Sequence, residues 1–479
     1  MRSTPRSQNL ALAALVAAVV IVTLDTTILN VAIPTIRSEL HTSFQSLQWV
    51  IAGYSLTLGS LLVIGGRIGD MIGPRRAFAI GAVVFAGGSL VASQANGVAA
   101  LVIGEAVIEG IGASLLFPAS LATLSSLFTG ARRGRAFGAW GGAAGAAAAL
   151  GPVLGGWLTS DYSWRWGFRI NVVVAPVAAL VALWALPATT DRRAMPRVDV
   201  AGCVLLAGGL FSLVLGITKA PDSGWLTMVP AFVAAAVLLS AFVVVERRQH
   251  ASALVDLELF RVPTFGRGLA TSLTVVMAQA GSLYALAVFL QATHHLTPVT
   301  AGRWLLPLGI AVLVGARVGG RSAERIGAIA VVRAGTALAT LGVAGLAVAL
   351  HATVDWAHLS IPLAVFGIGS GLASSQLTSV TLSEVPPPRL GAASGAATTN
   401  NALGAALGVA LIGTVMRVGD AGSPTATKWA LATATALVLL GALTASTLRP
   451  RTTAPLGSGP SPTTKTSPIA SVRCSPSSR

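Results

Sequence analysis

Three acidic residues stand where acids are costly. Asp25 lies inside an apolar run at about 10–34, and Glu105 and Glu109 lie inside another at about 98–120. A carboxylate in the middle of a membrane helix costs roughly 2.5–3.5 kcal/mol on insertion scales, so such a group faces a partner or a cavity. Asp25 reads as a cavity-facing carboxyl that takes up a proton or a cationic ligand; the alternative is an acid near the outer interface, capped by Thr26 and Thr27. Glu105 and Glu109 are four residues apart, which puts both carboxyls on one helix face. Two such groups in low dielectric rarely ionise together, so the pair reads as a proton carrier that releases its proton when water or a cation enters. The structural alternative, one Glu facing a polar crevice or a basic partner, stays open beside it.

The elements that must position these acids are membrane helices. The 479 residues are 54% hydrophobic and 10% charged, with mean hydropathy +0.77, whereas soluble domains carry about a quarter charged residues. A window of about 20 residues, the length that crosses the hydrocarbon core, gives fourteen candidate spans. Six precede residue 190, two fill 199–218 and 226–245, and six follow residue 264. The expected fold is therefore all-α and integral to the membrane: an N-terminal six-helix bundle over 1–190, two additional helices and a linker over 191–264, a C-terminal six-helix bundle over 265–448, and a disordered Pro/Ser/Thr-rich tail over 449–479.

The net charge of +16 would point to nucleic acid in a soluble protein, but here the basic residues fall in short connections between apolar runs. They gather on one face, as the positive-inside rule requires of an even number of spans with both termini cytoplasmic. Arg2 and Arg6 precede an apolar run longer than a signal-peptide core, which reads as a retained first span. Cys203 and Cys474 make no disulfide framework or metal cluster, and no nucleophile–base set, nucleotide-binding motif or cofactor motif is present, so no enzyme activity and no metal site are expected.

Two motifs recur in register. Gly65-Gly66-Arg67-Ile68-Gly69-Asp70-Met71-Ile72-Gly73 returns 254 residues later at 319–327, and Ala149-Leu150-Gly151-Pro152-Val153-Leu154-Gly155 returns 253 residues later at 402–408. Parallel repeats of this length mark transporters whose two halves rock about a central site. In the first motif small residues allow a tight reversal between spans 2 and 3, and Gly66, Arg67, Asp70, Gly73, Arg75 and Arg76, with Arg321 and Glu324 of the second copy, read as a cytoplasmic gate; a merely topogenic loop is the alternative. In the second, Gly151, Gly155 and Gly156 permit close helix approach while Pro152 bends the helix, which reads as a pivot; generic packing is the alternative. His294, His295, His351 and His358 are expected near the outer face, and Trp49, Trp140, Trp164 and Trp166 as interface anchors.

These motifs carry a resemblance. Leu24-Asp25-Thr26-Thr27-Ile28-Leu29-Asn30-Val31-Ala32-Ile33-Pro34 resembles the first-helix motif of the fourteen-span drug:proton antiporters of the major facilitator superfamily, and 66–76 resembles the superfamily's loop motif. Gly151-Pro152-Val153-Leu154-Gly155-Gly156 resembles its antiporter motif, and Trp164-Arg165-Trp166, Ile170-Asn171-Val172, Phe289-Leu290-Gln291, Leu306-Pro307-Leu308-Gly309 and Gly391-Ala392-Ala393-Ser394-Gly395 keep family spacing, from about residue 10 to 448. The sequence departs from the pattern in span 4, where the family's Arg is Ala106 and Glu105 and Glu109 stand beside it, and in span 11 of the superfamily pattern, where Asn400-Asn401 replaces an Arg-Gln pair.

The resemblance implies two pseudo-symmetric bundles and a proton-coupled antiporter in the bacterial cell membrane that exports small lipophilic, cationic drugs or antibiotics by alternating access. Its partners would be protons, the small-molecule substrate and the bilayer, with no nucleic acid, and it would act as a monomer. Asp25, Glu105 and Glu109 would couple protons to substrate. A same-fold exporter of a specific metabolite or self-made antibiotic, or a membrane receptor that no longer transports, are the alternatives.

Overall fold

The computed structural model describes residues 5–128, 130–186, 199–248, 257–351, 355–386, 389–419 and 423–449. The tail expected over 449–479 lies outside them apart from its first residue. Apolar runs broken by Gly, Pro and capping residues fold into long helices: α1 Pro5–Glu39, α2 Phe44–Ile72, α3 Pro74–Ser93, α4 over 98–127, α5 Gly130–Asp161, α6 Arg165–Ala185, α7 Val200–Ser223, α8 Val229–Arg248, α9 Pro263–Ala292, α10 Pro298–Ile326, α11 Ala328–Ala349, α12 Trp356–Leu382, α13 Leu390–Val418 and α14 Pro424–Ser446. Twelve of the described helices are long and apolar enough to cross a membrane; α2 and α5, which hold the first copies of the two repeated motifs, lie outside that set.

Local chemistry sets the helix starts. Ser43, Thr297 and Ser423 accept from the backbone N–H three residues on, at Ser46, Thr300 and Ala426, and proline occupies the first turn of α3, α9, α10 and α14, where its missing N–H is harmless. Gly73 between α2 and α3 and Gly327 between α10 and α11 adopt φ of 88° and 85°, a conformation closed to side chains with a Cβ. The repeated loop motif thus makes the same one-residue reversal twice.

Helices α1–α6 pack among themselves, as do α9–α14, and the two groups meet where α2 lies on α13 and α5 on α10; α7 and α8 pair, and α7 leans on α2 and α13. The second repeat also recurs in packing. Gly151 and Gly155 bring α5 against Thr27 and Ile28 of α1, and Gly404 and Gly408 bring α13 against Leu273, Val276 and Met277 of α9.

Because successive helices alternate in direction, Pro5, Gly73, Gly327 and Ser446 share one end, the termini end, and Glu39, Trp164 and Pro298 the opposite, far end. At the far end one apolar core joins the groups, with Ile33, Ile36, Leu47 and Trp164 packed in the same cluster as Phe289, Leu305 and Ile412. Toward the termini end the cores separate: one cluster around Leu15, Phe78 and Phe85 belongs to α1–α6 alone, and another around Phe265 and Ala393 belongs to the second group.

Candidate functional site

The structure brings all three sequence-identified acids to one point. Asp25 on α1 and Glu105 and Glu109 on α4 each place a carboxyl oxygen within 4.8 Å of the others, and their residues are 4%, 1% and 0% exposed. Local backbone accounts for part of this: residues 102–109 of α4 form a π-helix, a wide turn recurrent at functional sites that presents Glu105 and Glu109 to α1 from within one continuous helix. Gly88 completes the arrangement, since a Cβ there would sit 2.6 Å from the Glu109 Cγ and push α3 away.

Among the described residues, two neutral donors serve the three acids. Asn171 on α6 donates from Nδ2 to Asp25 Oδ1 at 2.8 Å, and Ser89 on α3 donates from Oγ to Glu109 Oε1 at 2.6 Å. No N–H or O–H among the described residues reaches Asp25 Oδ2, Glu105 Oε2 or Glu109 Oε2, and none of the ion pairs of the described residues includes these acids. The phenol of Tyr54 on α2, also buried, has no partner among them either. Buried carboxyls that donors serve only in part, with no cation among the described residues, are stabilised by any nearby positive charge, and the smallest source is a proton held between carboxyls.

The far side of Asp25 is sealed. A cavity of about 10 Å³, close to the least that holds one water, lies between Asp25, Ile28, Leu29, Ala32, Trp164, Gly167 and Phe168. Trp164 is 1% exposed and donates from Nε1 to Glu39 Oε2 at 2.8 Å, so it is a plug and not the interface anchor expected from sequence. Arg165 binds the same Glu39 oxygen at 2.9 Å and the Ala95 carbonyl at 3.0 Å, which ties the plug to α1 and to the connection after α3.

The antiporter-like helix closes the same end. A Cβ on Gly156 would lie 2.3 Å from the Pro298 carbonyl oxygen and one on Gly302 2.2 Å from that of Pro152, so α5 and α10 touch backbone to backbone. Ser160 Oγ accepts from Val299 N at 3.2 Å beside this crossing, and Gln291 donates to the Val31 carbonyl at 2.8 Å to join α9 to α1. In contrast, nothing lies within 4 Å of a Cβ built on Gly141 or Gly142 of α5, Gly320 of α10 or Gly395 of α13, all nearer the termini end.

The residues read as a gate are not drawn together. Arg75 donates to the Leu183 carbonyl and staples α3 to the end of α6, within the first group. Arg76, Arg321 and Glu324 are exposed, and no described hydrogen bond or ion pair ties Arg321 or Glu324 to 65–76. Gly66 packs near Pro118, and Arg67 is half-buried. Of Asp70 only the backbone, in the last turn of α2, is described.

Sequence reasoning missed the convergence of Asp25 with the Glu pair, and it missed Ser89. Asn171 was visible inside a motif but without a role. Asn400 and Asn401, which stand in place of a family Arg-Gln pair, bind within the second group: Asn400 donates to the Leu269 carbonyl at 3.1 Å, and Asn401 accepts from Ser272 Oγ at 2.6 Å.

Comparison with known proteins fits this arrangement. Residues 15–409 match the Major Facilitator Superfamily model. The chain is 33% identical over 412 residues to the Tetracenomycin C resistance and export protein of Streptomyces glaucescens, covering 85% of this chain and 76% of that one, and 32% identical over 415 residues to the Multidrug resistance protein Stp of Mycobacterium tuberculosis, covering 86% and 76%. The crystal structure of the peptide transporter POT in complex with sulfate superposes with a TM-score of 0.66 at 17% identity over 91% of this chain and 94% of that one, which is a likeness of fold. A carboxyl cluster buried between membrane helices, a repeated loop motif and these relatives make the chain a membrane transporter and not an enzyme, and it belongs to the major facilitator superfamily.

Proposed function

We propose that the protein is a proton-coupled exporter of small lipophilic, cationic drugs or antibiotics in the bacterial cell membrane. The observation that carries this reading is the buried Asp25–Glu105–Glu109 cluster, three acids with two neutral donors, set beside the glycine-mediated crossings of α5 with α1 and α10. The names of relatives that export or resist antibiotics support efflux as the direction.

In this account all fourteen helices span the membrane, as pseudo-symmetric bundles over 1–190 and 265–448 with an added pair over 191–264, both termini cytoplasmic and the molecule a monomer. The far end is then the outer face, closed by Trp164 and the α5–α10 crossing, and the parted end is open to the cytoplasm. Substrate enters from the cytoplasm and displaces protons from the cluster. Opening of the α5–α10 crossing releases it outside, and protons from outside reload the carboxyls and favour return. Gly66, Arg67, Asp70, Gly73, Arg75, Arg76, Arg321 and Glu324 serve as the cytoplasmic gate that closes in the outward-open state.

The test is accumulation of ethidium and tetraphenylphosphonium in an efflux-deficient bacterial host. Wild type should lower accumulation, a protonophore should abolish the effect, and Asp25→Asn should lack it. Export that persists with the proton gradient collapsed would refute proton coupling. A second reading, export of one self-made antibiotic, draws on the relative named for tetracenomycin C resistance and export; protection confined to a single compound class would select it.

A further inference from the structure

The number of acids at the site exceeds what one exchangeable proton can satisfy. Three carboxyl groups converge within 4.8 Å, and each keeps one oxygen that no donor among the described residues reaches. The two hydrogen bonds they receive come from neutral groups, Asn171 to Asp25 Oδ1 and Ser89 to Glu109 Oε1. Glu105 receives neither, although it is 1% exposed. Tyr54 on α2, which interacts with all three acids, is itself buried and its phenol has no partner among the described residues, and the described ion pairs bring no Lys, Arg or His to the acids from α1, α2, α3, α4 or α6.

Charge and hydrogen-bond counting then limit the occupancy. A carboxylate is an acceptor only, so two carboxyl oxygens can face each other only when a proton lies between them. One shared proton leaves two full negative charges among three carboxyls that lie within 4.8 Å of one another, with two neutral donors and no cation among the described residues to offset them. Two protons can join the three acids through O–H···O bonds and leave a single negative charge, with the Asn171 and Ser89 donors serving oxygens of Asp25 and Glu109.

The geometry points to a cluster that holds two protons at once when the far end is closed, so that Asp25, Glu105 and Glu109 act as one two-proton site and not as a single carrier with two structural neighbours. This rests on the antiport reading above and deepens it by assigning Glu105 and Glu109 a coupling role in place of the absent span 4 cation. On opening to water the balance is simple: two protons leave to solvent or substrate, the site goes from one negative charge to three, and two protons taken up from the opposite side restore it.

The experiment counts protonated carboxyl groups in the purified full-length protein at neutral pH by the infrared C=O stretch of carboxylic acids. Asp199→Asn/Glu246→Gln is the background, because Asp199 and Glu246 are the other buried acids among the described residues. Two protonated equivalents are expected, dropping by about one in Glu105→Gln and vanishing in the Asp25→Asn/Glu105→Gln/Glu109→Gln variant. One equivalent in the background protein, unchanged by Glu105→Gln, would overturn the two-proton site while leaving single-proton antiport intact, since the accumulation assay above reads antiport independently. No protonated carboxyl, or a band that appears only after chelation of a divalent cation, would overturn it as well. Where a charge-removing variant fails to fold, Ser89→Ala gives a second reading: it leaves all three acids in place, so the count should stay at two while the band shifts as Glu109 loses its donor, and a count below two would again overturn the proposal.

Discussion

Asn171 of α6 donates to Asp25 of α1 at 2.8 Å, a side-chain bond between residues 146 apart in sequence that holds the buried carboxyl in place beside the far-end seal. In the proposed antiport cycle this bond would hold the Asp25 carboxyl in position for exchange.

Asn171→Ala is therefore expected to slow exchange. An unsatisfied buried acceptor costs about 1–3 kcal/mol, and each 1.4 kcal/mol is about tenfold, so the turnover of a reconstituted exporter should fall by roughly one to two orders of magnitude while the protein stays monodisperse. An unchanged rate would show that the bond has no part in coupling.

The α5–α10 crossing should tolerate no side chain. A Ser160→Cys/Val299→Cys pair, in a background with Cys203 and Cys474 replaced by Ser, should crosslink readily because Ser160 Oγ and Val299 N lie 3.2 Å apart. Adding Gly302→Ala inserts a Cβ at 2.2 Å from the Pro152 carbonyl oxygen, and crosslinking should then fall severalfold. Equal crosslinking with and without Gly302→Ala would mean that the close approach is not what shuts the far end.

The two reversals at Gly73 and Gly327 should be equally intolerant of alanine. Their φ values of 88° and 85° lie where a Cβ is strained, and such strain is worth about 1–3 kcal/mol per residue. Gly73→Ala and Gly327→Ala should each lower the thermal midpoint, and Gly320→Ala, with open space around the added Cβ, should not.

His294, in the connection after α9, supplies a pH dependence. Burial, then the nearby His351 and His295, lower its pKa below the usual 6.5. It packs edge-on to Phe289 at 5.1 Å, and its Nε2 has no partner among the described residues. A group protonated more readily in the unfolded chain gives stability that is complete above the unfolded value and is lost as pH falls through the lower folded one. Thermal stability should thus decline as pH drops below about 6.5, the unfolded reference value, and His294→Gln should flatten that decline.

The acids were legible in the sequence because hydropathy is a local property and a carboxylate interrupts it visibly. Their meeting was not, because the contact between α1 and α4 depends on how two spans cross, and no periodicity within 10–34 or 98–120 encodes that. The π-turn at 102–109 escaped for a related reason: Val-Ile-Gly-Glu-Ala-Val-Ile-Glu has an ordinary helical pattern, and nothing local to it signals the close packing on α3 through Gly88 and Gly104. Helix ends extended past the apolar windows, as in α1, which runs from Pro5 to Glu39 and so carries Glu39 to the Trp164 plug. Trp164 followed the usual habit of tryptophan in the reading and a tertiary partner in the structure. The repeat, by contrast, carried its geometry openly, since Gly73 and Gly327 are the residues for which the backbone leaves no substitute.

The central claim is that the Asp25 cluster exchanges protons for substrate. The direct measurement is proton flux across liposomes containing purified protein, with an imposed pH gradient, on addition of tetraphenylphosphonium or ethidium. The account predicts compound-triggered proton movement in wild type that is lost in Asp25→Asn and reduced in Glu105→Gln. Compound transport by wild type with no accompanying proton movement, or full coupled flux in folded Asp25→Asn, would contradict it.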